Sequence, residues 1–209
     1  MSAIYDVYAK VCTSNLLTSR LAEGMNASLR MVDTGWLEKT DQVGLPPMVD
    51  HEIQVYQLLE EAGLTGCTVP EYDESESYDG VLIMRLINMG APLFEYARSE
   101  YMTKELWMQL CETVGLAIRQ FHDEGFVHHD LHDGNIVIEV KDEAWHPVII
   151  DFGYTTHDEL TCDHLCRSHW DDDPEADVDK LLEALRRYTE PPEWYEEGLE
   201  KLEHVALCA

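Results

Sequence analysis

The chain has 209 residues, enough for one generous domain or two small lobes, and 45% hydrophobic with 27% charged residues describes a globular rather than a disordered protein. Forty-two acidic against fourteen basic side chains leave a net charge of −28. No Lys/Arg cluster is available to grip a phosphate backbone or an anionic bilayer, so nucleic acid and membranes are disfavoured as partners.

The acidic excess reads first as a solvated surface; a basic substrate or partner, or adaptation to high salt, is the sharper alternative. No apolar run is long enough to span a bilayer. The start, MSAIYDVYAKVC, lacks the basic and apolar regions of a secretory signal, so a cytoplasmic location is expected. Cysteines at 12, 67, 111, 162, 166 and 208 are scattered, which suits reduced thiols.

Ala3 to Cys12 mixes aromatic and β-branched residues and predicts a strand. Ala27 to Asp33 (ASLRMVD) predicts a second, with a polar segment between them. Gly44-Leu45-Pro46-Pro47 marks a loop. Asp50 is placed as N-cap of a helix that carries Ile53, Tyr56, Leu58 and Leu59 on one side and ends at Gly63. Gly80 precedes VLIMRLI, whose continuous apolar character suits a buried strand, and Gly90-Ala91-Pro92 follows as a connector. In Lys104 to Glu124, residues Leu106, Leu110, Val114, Ile118 and Phe121 recur at helical spacing, and Gly125 stops the helix.

Two short strands come next, Ile136 to Val140 and Val148 to Ile150, joined by the polar turn Lys141 to His146. Asp177 to Tyr188 is amphipathic through Val178, Leu181, Leu182 and Leu185. Pro191-Pro192 breaks the chain before a last helix over Trp194 to Leu207. This order predicts an α+β, two-lobed plan: residues 1–88 as strands with one helix, residues 89–209 mostly helical, with the boundary near Asn88 to Pro92.

Two motifs carry chemistry. His128-His129-Asp130-Leu131-His132-Asp133-Gly134-Asn135 lies between the long helix and a strand, and Asp151-Phe152-Gly153 follows the next strand. Phosphoryl transfer needs a carboxylate near the attacking hydroxyl, oxygen ligands for Mg²⁺, and positive charge on the nucleotide phosphates. The first motif supplies a carboxylate and an amide. Asp151, at a strand end, can bind Mg²⁺, and Gly153 gives the chain freedom to turn away.

With these residues in this order, the chain resembles the protein-kinase-like superfamily over about Lys104 to Tyr154, and more loosely over most of its length. The string H-x-D-L-H-x-G-N is similar to aminoglycoside phosphotransferases, choline kinases and related atypical kinases, because His132 stands where ordinary protein kinases carry Lys. The resemblance implies a compact two-lobed kinase-like fold with a reduced C-terminal helical lobe, and ATP and Mg²⁺ as cofactors. It implies Asp130 at the substrate hydroxyl, Asn135 and Asp151 on the metal, and His132 at the phosphates.

On the nucleotide side, Glu52 would be the helix Glu, paired with Arg30 on ASLRMVD or, alternatively, with Lys39. No glycine-rich loop is present, so only Thr13, Ser14, Asn15 and the later Gly24 are left to serve the first hairpin. Adenine would meet backbone from Met84 to Asn88. Asp177 or Asp179 would brace the catalytic loop, and Pro174-Glu175 would close the segment before it. The acceptor would be a hydroxyl of a protein or small molecule, with a basic one suiting the acidic surface; oligomeric state is open.

Three other readings stand beside this one. A pseudokinase would bind nucleotide or act as a scaffold without turnover. Cys162, His164, Cys166 and His169 offer thiols and imidazoles of the kind zinc takes, though in a single cluster. A hydrolase metal centre built from His128, His129, Asp130, His132 and Asp133 would leave Asn135 and Phe152-Gly153 without roles.

Overall fold

The computed structural model describes residues 3–16, 27–33, 35–41, 48–85, 90–160, 173–188 and 191–208. In chain order the elements are α1 (Ala3–Leu16), β1 (Ala27–Asp33), β2 (Trp36–Asp41), α2 (Val49–Glu61), β3 (Val81–Arg85), β4 (Ala91–Pro92), α3 (Leu93–Ala97) and α4 (Lys104–Asp123). They continue as β5 (Ile136–Lys141), β6 (Ala144–Ile149), α5 (Pro174–Arg186) and α6 (Tyr195–Leu207). The strands form two antiparallel three-stranded sheets, β1-β2-β3 and β4-β5-β6, giving the expected α+β class.

The first element is a helix where composition predicts a strand. Val7 and Val11, four residues apart, are both buried, so helical spacing outweighs the β-propensity of the aromatic and branched residues. α1 packs against β4 and β5, and Cys12 Sγ comes within 3.9 Å of the Tyr96 hydroxyl. Among the described residues, therefore, no strand precedes β1 to make the expected first hairpin.

That hairpin is made instead by β1 and β2, joined through Gly35, whose φ of 93° favours a residue without a Cβ. β2 is the middle strand, with Lys39 opposite Leu29 on one side and Leu82 on the other. Its side chains alternate: Leu37 and Lys39 are buried, while Trp36, Glu38 and Thr40 are partly exposed. The period of two thus places Lys39 on the inner face and Glu38 on the outer.

α2 lies against this sheet with Val49, Glu52, Ile53, Val55, Tyr56 and Leu59 buried. Its N-cap position is Met48, not Asp50. The free N–H groups of Met48 and Val49 donate to Asp41 Oδ1 at 2.8 and 3.1 Å, so β2's last residue caps the helix from outside. Asp50 instead accepts from the Gly80 N–H at 2.6 Å and ties the helix to the turn before β3.

The remaining elements are built around α4, whose N-terminus is capped by Thr103 Oγ1 accepting from Leu106 N–H. Its stripe of Leu106, Leu110, Val114, Ile118 and Phe121 is buried as its periodicity predicts. α6 crosses α4 closely: a Cβ on Gly198 would stand 2.3 Å from Trp107 Nε1, and one on Gly115 would stand 2.8 Å from the Leu202 carbonyl oxygen. Trp107 is held there by stacking on Tyr195 and by donating to the Tyr195 carbonyl at 3.0 Å. Gly198→Ala is therefore expected to destabilise the protein by about 1–3 kcal/mol through overpacking, measured by urea unfolding. An unchanged midpoint would show that the helices can separate freely.

The β5–β6 hairpin turns through Asp142 and Glu143, at φ 51° and 62°, the two left-handed residues that a two-residue turn needs. Among the described residues no helix is long and apolar enough to cross a membrane.

Candidate active site

β2, α2 and the end of β6 converge on one cation. Lys39 Nζ lies 2.6 Å from Glu52 Oε2 and 2.7 Å from Asp151 Oδ1. Glu52 is fully buried, whereas Asp151 presents about half of its side-chain surface, 51%, to solvent. Burial pulls the Lys39 ammonium down, but the charges of Glu52 and Asp151 outweigh it and leave the group raised and protonated. For Asp151, burial acts upward and Lys39 acts downward; Lys39 prevails and holds the carboxyl below its ordinary value. Glu52 also reaches past the cation: its Oε1 accepts the Phe152 N–H at 3.1 Å. One side chain of α2 thus fixes both the β2 cation and the backbone after Asp151.

Arg30 is not part of this cluster. It stands opposite Glu38 in the β1–β2 register, on the outer face, and pairs with it at 2.8 Å, exposed. Cross-strand partners share a face, so Arg30 and Lys39 point to opposite sides of the sheet. Thr13, Ser14 and Asn15 fall in the last turn of α1 instead of in a strand hairpin, and Gly24 lies outside the described residues. Of the expected adenine-binding stretch, Met84 and Arg85 end β3, and residues 86–89 lie outside the described residues.

Asp151 itself adopts φ 68°, a left-handed conformation unusual for a residue with a Cβ. The chain turns just after it, through Gly153 and Tyr154, where the Thr155 N–H donates to the Phe152 carbonyl at 3.0 Å; Gly153 is not in the left-handed region, so the left-handed residue of this segment is Asp151 and not the glycine. Phe152, fully buried, packs edge-on to Tyr56 and against Phe121 and His128.

The other half of the site is the loop between α4 and β5. Asp177, buried in the first turn of α5, accepts from His128 N–H at 2.6 Å, from His129 N–H at 2.8 Å and from His122 Nε2 at 3.2 Å. Burial acts upward on this carboxyl, but the His122 hydrogen bond and the His128 backbone N–H hold it below its ordinary value. Asp179, two residues on, is exposed, so Asp177 is the acid that braces the loop. Pro174 opens α5, with Asp173 as its N-cap.

His128 is fully buried, and burial lowers its pKa. Its Nε2–H donates to the Ile150 carbonyl at 3.0 Å, and its Nδ1 accepts the Asp130 N–H at 3.2 Å. Asn135 Nδ2 donates to the Asp130 carbonyl at 3.0 Å, which leaves Oδ1 as the amide atom available for a ligand. The Ile150 N–H donates to the Asn135 carbonyl at 3.0 Å, so Asn135 and Asp151 are neighbours through the sheet. Both offer hard oxygen donors of the kind Mg²⁺ takes.

Residues 54–183, more than half of the chain, match the ABC1 atypical kinase-like domain. The chain belongs to the ABC1 atypical kinase-like family. The matched segment takes in Asp130, Asn135, Asp151 and Asp177 and begins two residues after Glu52. Among curated proteins, none is significantly similar in sequence.

Solved structures extend the likeness to the whole fold. The ADP-bound aminoglycoside phosphotransferase APH(2'')-Ib aligns with a TM-score of 0.61 at 12% identity, over 98% of this chain and 81% of that one. The streptomycin–ATP ternary complex of APH(2'')-IIa aligns with a TM-score of 0.58 at 12% identity, over 100% and 84%. WaaP in complex with acyl carrier protein aligns at 0.58 and 15%, over 88% and 76%. At these identities the likeness is one of fold: a protein-kinase-like one.

In this ABC1-family chain the loop histidines serve largely as scaffolding. Both nitrogens of His128 are engaged, and His129 Nε2 meets Thr156 Oγ1 at 2.8 Å, which argues against a hydrolase centre built on them. The His132 side chain, 39% exposed, accepts the Gly134 N–H on Nδ1 at 3.0 Å, which leaves Nε2 as the other ring nitrogen. A Cβ on Gly134 would stand 2.8 Å from that ring, so the close approach requires glycine. The Cys162–His169 cluster lies outside the described residues. Among those described, no group of three His, Cys, Asp or Glu is placed to hold a metal.

Lys39, which the structure brings to Glu52 and Asp151, is the candidate that sequence reasoning places second to Arg30. Its signal is nevertheless present: Leu37 and Lys39 alternate with Glu38, and the stretch directly follows β1 at hairpin distance.

Proposed function

We propose that the chain is an ATP- and Mg²⁺-dependent phosphotransferase that moves the γ-phosphoryl group to a hydroxyl of a protein or small molecule in the ATP-rich cytoplasm. The observation that carries this reading is the convergence of Lys39, Glu52 and Asp151 from three separate elements. A buried cation held by two carboxylates costs desolvation and is weak as a stabilising device. Its use is to present an ammonium to an anion.

In this reading Lys39, oriented by Glu52, hydrogen-bonds the nucleotide phosphates. Asn135 and Asp151 would hold Mg²⁺, which supplies charge neutralisation at the β- and γ-phosphates. Asp130 accepts the proton of the acceptor hydroxyl as its oxygen bonds to the γ-phosphorus and the bond to the β-phosphate oxygen breaks, releasing ADP. His132 Nε2 would donate to a phosphate oxygen. The nucleotide's place would be between the β1-β2-β3 sheet with α2 and the body that carries the α4–β5 loop. Fold neighbours solved with ADP, with streptomycin and ATP, or with acyl carrier protein leave either acceptor class compatible, and the acidic surface favours a cationic one.

The test combines thermal-shift titration, with ATP alone and with MgATP, and radiolabelled transfer to basic proteins, aminoglycosides and the chain itself. Metal-dependent stabilisation and transfer are expected. Asp130→Asn should lower transfer by about 10²- to 10⁴-fold while retaining MgATP binding. Full transfer by that variant would overturn the mechanism; MgATP binding by the native chain without transfer would favour a pseudokinase.

A further inference from the structure

α5 grips the catalytic loop with two side chains, one turn apart. Asp177 takes the N–H groups of His128 and His129. Three residues on, on the same helical face, Lys180 Nζ donates to the His129 carbonyl at 3.0 Å and to Asp130 Oδ1 at 2.5 Å. The two peptide groups flanking the His129 Cα are therefore clasped, the N–H by a carboxylate and the C=O by an ammonium. His129 has φ 62°, a left-handed conformation that a residue with a Cβ keeps only when its surroundings enforce it. The clasp enforces it, and the conformation aims the next residue, Asp130.

The Asp130–Lys180 pair is not a core ion pair: the side chains are 34% and 44% exposed, so it adds little to stability. What it does is fix direction. With Oδ1 held by Lys180, Oδ2 is the carboxylate oxygen without a hydrogen-bond partner among the described residues. Asp130 is thus presented with one oxygen anchored and the other left for a ligand. No local motif marks Lys180; only the docking of α5 brings it to the loop.

We infer that Lys180 is a positioning residue for phosphoryl transfer, acting through Asp130 by anchoring Oδ1 so that Oδ2 meets the acceptor hydroxyl. This rests on the phosphotransferase reading above. Misplacing a reacting carboxylate by about an ångström costs on the order of 10²-fold, whereas nucleotide binding depends on the separate Lys39 cluster.

The test follows turnover of radiolabelled MgATP by the full chain, its Lys180→Met and Lys180→Arg variants, and both substitutions at Lys180 combined with Asp130→Asn. Lys180→Met should lower kcat by about 10- to 100-fold with the KM for MgATP within about twofold and the melting temperature unchanged. Lys180→Arg, which keeps a cationic donor, should recover most of the loss. In the Asp130→Asn background either change should have no further effect, because the residue it anchors is already lost.

An active native chain with Lys180→Met at full kcat would overturn the inference alone, as would an equal loss for Lys180→Met in both backgrounds. Lys180→Arg as slow and as unstable as Lys180→Met would assign the loss to folding and overturn it too. A native chain that binds MgATP but never transfers would overturn both this inference and the reading beneath it.

Discussion

Asp177→Ala is expected to lower stability by about 2–6 kcal/mol and to suppress phosphoryl transfer in the same variant. The carboxylate accepts the N–H groups of His128 and His129 in a buried position, and its removal strands both. Each buried donor left unpaired costs about 1–3 kcal/mol, which sets the range. Asp130 follows directly, so release of His129 from its left-handed conformation moves the carboxylate that the reaction uses. Asp177→Asn retains an oxygen for one of the two N–H groups and should fall between native and Ala. Calorimetric unfolding together with the transfer assay checks this; an Ala variant that unfolds with the native protein would remove Asp177 from its role as brace.

Lys39→Met is the second substitution with a large expected effect. It leaves Glu52, fully buried, and Asp151 without their cation. Breaking a buried pair by removing one partner costs about 3–5 kcal/mol at neutral pH. Stabilisation by MgATP should disappear as well. The pH dependence follows from the directions of the shifts. In the native protein Asp151 is held below its ordinary value, so its contribution is present above the unfolded carboxylate range near pH 4 and fades as pH falls through the depressed value.

In the variant that cation is gone, and burial, which already pushes the Glu52 carboxyl upward, acts unopposed by Lys39. A native state that binds protons more tightly than the unfolded chain loses stability as pH rises. The gap between native protein and variant should therefore widen from about pH 4 to pH 7. A gap that stays constant across this window would mean that Lys39 does not set the charge state of its two partners.

Much of the helical half is legible in the sequence because its signals are local and repeated. The stripe from Leu106 to Phe121 fixes one face of α4 over about four turns, and Gly125 punctuates its end at φ 85°. The β5–β6 hairpin and α5 are marked by apolar alternation and by the Pro and Gly around them. The amino-terminal half is harder for definite reasons. In α1, β-branched and aromatic residues carry strand propensity, and only the spacing of Val7 and Val11 argues otherwise. In β2, the buried inner face carries a lysine, so its alternation is hidden in a hydropathy pattern and is explained only by Glu52 and Asp151, which come from elsewhere in the chain. Arg30 is the more obvious candidate because ASLRMVD is a stronger strand, but a strand's face is decided by its partner. Asp177 is legible as one of two acids; the choice between them needs the helix phase. Lys180 has no local signal.

α1 bears on how the three-stranded sheet is attached. The helix packs on β4 and β5, so the chain departs from that body before β1 and rejoins it at β4, after β3. The sheet and α2 are thus topologically an insertion rather than a terminal arm. A segment closed at both ends has fewer undocked arrangements than one tethered once, because the cost of closing its loop is met by the chain's connectivity and not at each docking. A single backbone break on either side would convert it into an arm and widen those arrangements without touching one contact of the Lys39 cluster.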